Sequence, residues 1–158
     1  MEMGFSILDW EKSDLSFVCG VVLVVAVVSM FQLRISAMKT RDAQRKSDIS
    51  LVARALKGYY GDHKTYPASD MGRIVACGEY KNEVCEWGED KIADADEVVY
   101  LGRMPQDPFA ARKWYYRYES GENSFRVYVA LEYQGDRERR RDLTVECGPR
   151  VQCNWYVE

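Results

Sequence analysis

Two hydrophobic patterns follow each other along the first third of the chain without a break. Residues 15–33 form an apolar run dominated by Val and Leu, with no charge and only Ser16, Gly20, Ser29 and Gln32 as mild exceptions. From Arg34 the pattern changes to "RISAMKTRDAQRKSDISLVARALKGYY". There Ile49, Val52, Ala53, Leu56 and Tyr60 recur at helical spacing as one apolar stripe, and Lys39, Arg41, Arg45, Lys46, Arg54 and Lys57 occupy the rest. No Gly or Pro lies between Val21 and Lys57. The pattern predicts a continuous helix over 15–62, transmembrane over 15–33 and amphipathic beyond. The apolar part, as a helix, is roughly 28 Å long, close to the hydrocarbon thickness of a bilayer. A chain of 158 residues is too small to surround a core helix of that length. Ser13 is the expected N-cap and Asp14 an anion in the first turn. Gly58 and Gly61 weaken the other end, and Pro67 forbids continuation. The helix is expected to start in a membrane, emerge, and lay its last turns against a globular head as a rigid rod.

The head, residues 63–158, has a different texture. Residues 68–97 mix Gly, Asp, Glu and Cys without clear period and read as a long, partly helical connecting loop closed by Cys77 and Cys85. In "VVYLGRMPQDPF" two prolines exclude a regular element through the segment. "KWYYRYE" and "SFRVYVALEY" alternate and are rich in aromatic and branched residues, so they predict a hairpin turning at "SGEN". "DLTVEC" and "CNWYVE" predict a second hairpin around "GPRVQ". An antiparallel sheet packed on the helix stripe gives an α+β head.

Composition adds little about partners, since the net charge is only -3. The leader-like segment, residues 1–14, is acidic on balance and lacks a basic n-region, so the apolar run is expected to be retained rather than cleaved as a secretory signal. Of the five cysteines, Cys19 lies in the apolar run, as a small hydrophobe. Cys77 and Cys85, and Cys147 and Cys153, form two close pairs that suggest local disulfides and an oxidising compartment. Four cysteines allow three connectivities; a zinc site and free thiols in a reduced domain are the other readings.

The order of parts resembles type IV pilins, and most closely the major pseudopilins of type II secretion. "ARALKGYYGDHKTYP" is similar to the family's helix end, A-L-x-x-Y-x-x-D-x-x-x-Y-P. "LGRMPQDPF" is similar to its L-P-x-D-P loop, and "WYYRYES" followed by "FRVYVALE" looks like its paired head strands. The likeness spans residues 14–133. It implies a subunit of a thin helical filament, made with other copies and other pilin-like subunits, whose apolar helices form the core and whose heads form the surface. It also implies membrane lipid, an inner-membrane assembly platform and a prepilin peptidase as partners. In such families a short basic leader ends in Gly, a Phe follows, and a nearby Glu neutralises a neighbour's new amino terminus. "MGFSILD" carries Gly4 as the matching cleavage position, Phe5 after it and Asp9 as the acid, but "WEKSDLS" intervenes before the apolar run. Counting back from "YP" places Asp14 in the acid's position instead, so both carboxylates are assembly candidates.

Other signals are weighed against this frame. "GDRERRRD" offers Arg137, Arg139, Arg140 and Arg141 as a polyanion contact, with Tyr133 or Trp155 available to stack on nucleic-acid bases. Asp136, Glu138 and Asp142 make a self-paired surface loop the plainer reading. The Gly- and Asp-rich calcium loop of secretion pseudopilins is not matched here, and Asp107 reads as a turn residue in "PQDP". No cofactor and no metal are expected. The single histidine, His63, reads as a surface residue, and no nucleophile or phosphate-loop motif points to an enzyme. The basic residues after the apolar run would keep the head in the cytoplasm by the positive-inside rule. The paired cysteines and the family likeness place it on the extracytoplasmic side, in a periplasmic or extracellular filament, and that is the reading adopted. The alternative function is a single-pass membrane-anchored extracytoplasmic binding or sensor domain that does not polymerise.

Overall fold

The structure, a computed structural model, describes residues 12–78, 82–121 and 123–158, with side chains from Leu15 onward. The chain divides into two compact units, Met1–Ala37 and Met38–Glu158. One helix, α1 (Lys12–His63, 52 residues), contributes to both. It is already helical at Lys12, so Ser13 lies within the helix and does not cap it. Its far end agrees with the Gly58, Gly61 and Pro67 signals: Lys64 follows with a φ of 60°, and its N–H is bonded to the Tyr60 carbonyl at 2.8 Å.

In the first unit the described chain is helix alone. Its apolar side chains face outward around the whole circumference: Phe17 is 74% exposed, Leu23 65% and Leu33 70%. By length and composition this helix can cross a membrane.

The second unit is α+β. Among the described residues ten short strands follow the helix and pair antiparallel throughout. β1 (Ala68–Asp70), β2 (Arg73–Cys77) and β3 (Glu83–Val84) form one sheet. β4 (Ile92–Ala93) pairs with β5 (Val99–Leu101). After a single turn of 3-10 helix (Ala110–Arg112) come β6 (Arg117–Ser120) and β7 (Phe125–Val129). β8 (Glu146–Gly148) pairs with β9 (Val151–Gln152), and β10 (Trp155–Val157) completes the sheet β10-β7-β6.

Two expectations change here. The 68–97 segment is not a partly helical loop; its described residues form short strands. "RIVAC" is branched and apolar enough for a strand, and Met71 and Gly72, with φ of 47° and 82°, make the two-residue turn that returns β1 onto it. The last strand also does not pair with "DLTVEC". Trp155 lies opposite Val129 instead, so β10 extends the first hairpin into three strands. The reason lies in Asn154. Its side chain accepts the Leu131 N–H at 2.7 Å and donates to the Leu131 carbonyl at 3.0 Å, and its own N–H reaches the Val129 carbonyl at 2.9 Å. That lock seats the chain beside β7 just after Cys153.

The core follows the predicted helix stripe. Ile49, Val52 and Leu56 are fully buried, and Ala53 nearly so, against Ile74, Ile92, Met104, Tyr116, Tyr118, Val127 and Val129. Each large aliphatic side chain buried there contributes roughly 1.5–3 kcal/mol. Tyr60 is half-buried and stacks on Tyr66 at 4.6 Å between ring centroids. Strand alternation sends Phe125, Val127 and Val129 toward the helix, and Tyr128 to the opposite face, where it joins a smaller cluster with Ala130, Cys147 and Cys153.

Candidate functional site

Three features of the sequence carry functional weight: the apolar helix surface, the charged turn of the same helix, and the cysteine- and arginine-rich end of the head. The first is the exposed surface of residues 15–33, built mostly from side chains that water solvates poorly. Cys19 is exposed on it with a free thiol. Such a surface has one physical use, which is to be covered by lipid or by another apolar surface.

The second feature lies within the head unit. Arg45 is completely buried. Its Nε and Nη2 donate to the two carboxylate oxygens of Asp107 at 2.8 and 3.2 Å. Its Nη1 donates to Asp42 at 3.0 Å and Glu132 at 2.6 Å. Arg41 grips Glu132 with two bonds of 2.7 Å. Asp42 accepts the backbone N–H groups of Glu132 and Tyr133 at 2.9 and 2.7 Å, which compensates the carboxylate left over when two guanidiniums meet three acids. Phe109 and Trp114 cover Arg45, with its guanidinium carbon 5.2 and 4.9 Å from their centroids. Burial opposes the charge on Arg45, but the bonds from Asp107 and Glu132 outweigh it and hold the guanidinium ionised. Burial likewise opposes charge on Glu132, yet Arg41 and Arg45 hold its carboxyl below the usual range. This arrangement fastens the helix to the turn at Asp107 and to the segment just after β7, with its charges committed to one another.

Asp107 is therefore more than the turn residue expected. It does form the turn, accepting the Phe109 N–H at 2.7 Å, and it also receives Arg45. Neighbouring bonds extend the fastening: Tyr116 donates to Asp48 at 2.8 Å, and Lys46 reaches Asp136 and Glu138 at 2.8 and 2.9 Å. Burial raises the Asp48 carboxyl, with the Tyr116 hydroxyl pulling the other way.

At the third feature the open connectivity resolves into neighbours. Cys77 bonds Cys85, and Cys147 bonds Cys153. The zinc and free-thiol readings fall for these four residues. Among the described residues no group of three or more His, Cys, Asp or Glu side chains is placed to hold a metal ion. The "GDRERRRD" loop is not self-paired: Lys46 takes Asp136 and Glu138, and among the described residues no carboxylate pairs with Arg137, Arg139, Arg140 or Arg141. Arg140 lies over the Tyr156 ring at 4.3 Å. The rings expected to stack on bases hold cations instead, Lys39 over Tyr133 at 4.7 Å and Lys46 over Trp155 at 5.3 Å.

His63 is one-third exposed and sits in a polar cluster. Its Nε2 is 3.1 Å from Asp94 and 3.4 Å from the Tyr100 hydroxyl, whose oxygen lies 2.7 Å from Asp62 and 2.9 Å from Asp94 and whose single proton goes to one of the two. Gly4, Phe5 and Asp9, and the side chain of Asp14, lie outside the described residues. The sequence reading missed the Arg45–Asp42–Asp107–Glu132 network and the Asn154 lock. The available signal was "DPF" after an apolar strand, combined with an Arg three residues after an Asp on the helix.

Comparison with protein-family models, with characterised proteins and with solved structures finds no match.

Proposed function

We propose that this chain is a pilin-like structural subunit of a type IV pilus or type II secretion-like filament, and that it polymerises through its apolar N-terminal helix. The observation that carries the reading is the largely exposed apolar surface of residues 15–33 on a helix whose secondary structure continues without interruption into the head unit. A lipid-facing helix can exchange lipid for identical helices at little hydrophobic cost, and packing then supplies van der Waals contacts. Head-to-tail association that does not close gives a fibre. The two disulfides support a head on the extracytoplasmic side, where thiols oxidise. Asp14 and Asp9 are the candidate acids of assembly, and cleavage after Gly4 by a prepilin peptidase would leave Phe5 as the new first residue. The same apolar surface would also serve a single-pass anchor that never polymerises.

Shearing of expressing cells, followed by high-speed sedimentation and electron microscopy, separates the two. The filament reading predicts sheared fibres that contain this chain and vanish in the Val24→Asp, Val25→Asp double variant. Each acid at the helix centre costs roughly 2.5–3.5 kcal/mol in an apolar setting. Retention of all the chain in the membrane fraction, with no fibre, would support the anchor.

A further inference from the structure

The arginine loop has lost two of its three expected acids. Asp136 and Glu138 face Lys46, which leaves four arginines in a stretch of five residues without a carboxylate partner among the described residues. Three of them, Arg139, Arg140 and Arg141, line a groove of about 400 Å³ with Gln134, Gln152 and Asn154. Arg139 is half-buried, and its Nε is buried without a hydrogen-bond acceptor. A buried N–H left unmade costs roughly 1–3 kcal/mol, so the position calls for an acceptor. Arg140 stacks its face on Tyr156, and its in-plane N–H groups stay available for donation. Asn154 is committed to Leu131, and Gln134 and Gln152 add neutral amide donors to the wall.

The chemistry of the wall is that of an oxyanion seat. Guanidinium groups match phosphate and sulfate oxygens in geometry as well as charge. The adjoining groove of about 520 Å³ shares Arg139, Gln152 and Asn154 and adds Arg150, but Glu132 and Glu146 match its two arginines in number, whereas no acid lines the loop-side groove. The seat therefore lies on the loop side. Stacking of nucleic-acid bases is disfavoured, because Tyr133, Trp155 and Tyr156 already have cations over their rings.

We propose that the groove between the 134–143 loop and the 152–154 segment binds the phosphate or sulfate group of an ester ligand, with Arg139 and Arg141 as principal donors. The site is independent of polymerisation and would serve a filament surface or an anchored head equally.

The test uses the full chain in neutral detergent micelles at constant ionic strength, with arginine Nε–H signals followed by NMR. Inorganic phosphate and glucose 6-phosphate should shift the Arg139 signal saturably. Arg141→Gln, at an exposed position, should weaken binding about tenfold or more, the scale of a lost charge-assisted bond. Arg54→Gln, on the exposed face of α1, should leave it unchanged. A second arm uses nanodiscs. A shift with phosphatidylglycerol but not phosphatidylcholine, without added phosphate, assigns the same seat to a lipid headgroup; a shift only with glucose 6-phosphate or phosphate assigns it to a soluble ester. A response that grows linearly, is matched by chloride, or is equal in Arg141→Gln overturns the proposal.

Discussion

The two ends of helix α1 satisfy their apolar side chains in opposite ways. Over residues 15–33 Val, Leu and Phe point outward in every direction and almost nothing is buried. Over residues 42–56 the apolar groups apart from Leu51 gather on one stripe, and Ile49, Val52 and Leu56 are fully buried. The buried part even includes a charge, because Arg45 is surrounded by acids and aromatic rings. The lesson is that helix propensity distinguishes neither region. What distinguishes them is whether the chain itself supplies the covering surface. The head covers the second region; the described part of the first unit is helix alone and supplies no cover of its own.

The largest expected effect falls on the covered region. Arg45→Ala leaves Asp42, Asp107 and Glu132 facing one another with one guanidinium fewer, and should destabilise the head by roughly 3–5 kcal/mol. Thermal unfolding of the chain in micelles measures it. The helical content of the apolar region should not change, because no side chain of residues 15–33 takes part in the network. An unfolding temperature within a degree of the parent would show that the network is not what fastens the helix.

The smaller effect is acid dependence, which sharpens the comparison because residues 15–33 carry no carboxylate. Glu132 is held below its ordinary value by Arg41 and Arg45 against the cost of burial, and Asp136 by Lys46 and the Glu138 N–H against the same cost. Stability from both is present above the ordinary carboxyl range, about pH 4, and is lost as pH falls through the lowered values. Asp48 runs the other way. Burial raises its carboxyl, so its favourable protonated form is lost as pH rises through the raised value. Asp94 is also held low, against burial, by the Val98 and Asp96 N–H groups, Tyr100 and His63, so three groups against one predict a head that weakens below about pH 4. Glu132→Gln should flatten the fall of unfolding temperature with acid, and an unchanged slope would remove Glu132 from the account.

How much of this could be read from the sequence depends on the length of each signal. The helix spans dozens of residues, so periodicity fixed its extent and its stripe, and the strongly alternating hairpin around "SGEN" was equally plain. The 68–97 strands run from two to five residues, too short for a period to show, and their mixed polarity resembled a loop. β10 alternated correctly but gave no hint of its partner, because strand pairing depends on where Asn154 and the Cys147–Cys153 bond place the chain. Arg45 looked like one of six cations on a solvated face. Only the approach of Asp107 and Glu132, 62 and 87 residues away, sets it apart. The arginine loop was legible as charge but not as a groove, since Lys46 takes two of its three acids from a distance of 90 and 92 residues.

The most direct test of the central claim is to ask what touches the uncovered region in cells. p-Benzoylphenylalanine placed at Val24 and irradiated in intact expressing cells should yield a ladder of covalent dimers, trimers and larger species of this chain. The same residue at Arg54 should give no such ladder. Lipid adducts and monomer alone from the Val24 position would contradict polymerisation through this helix.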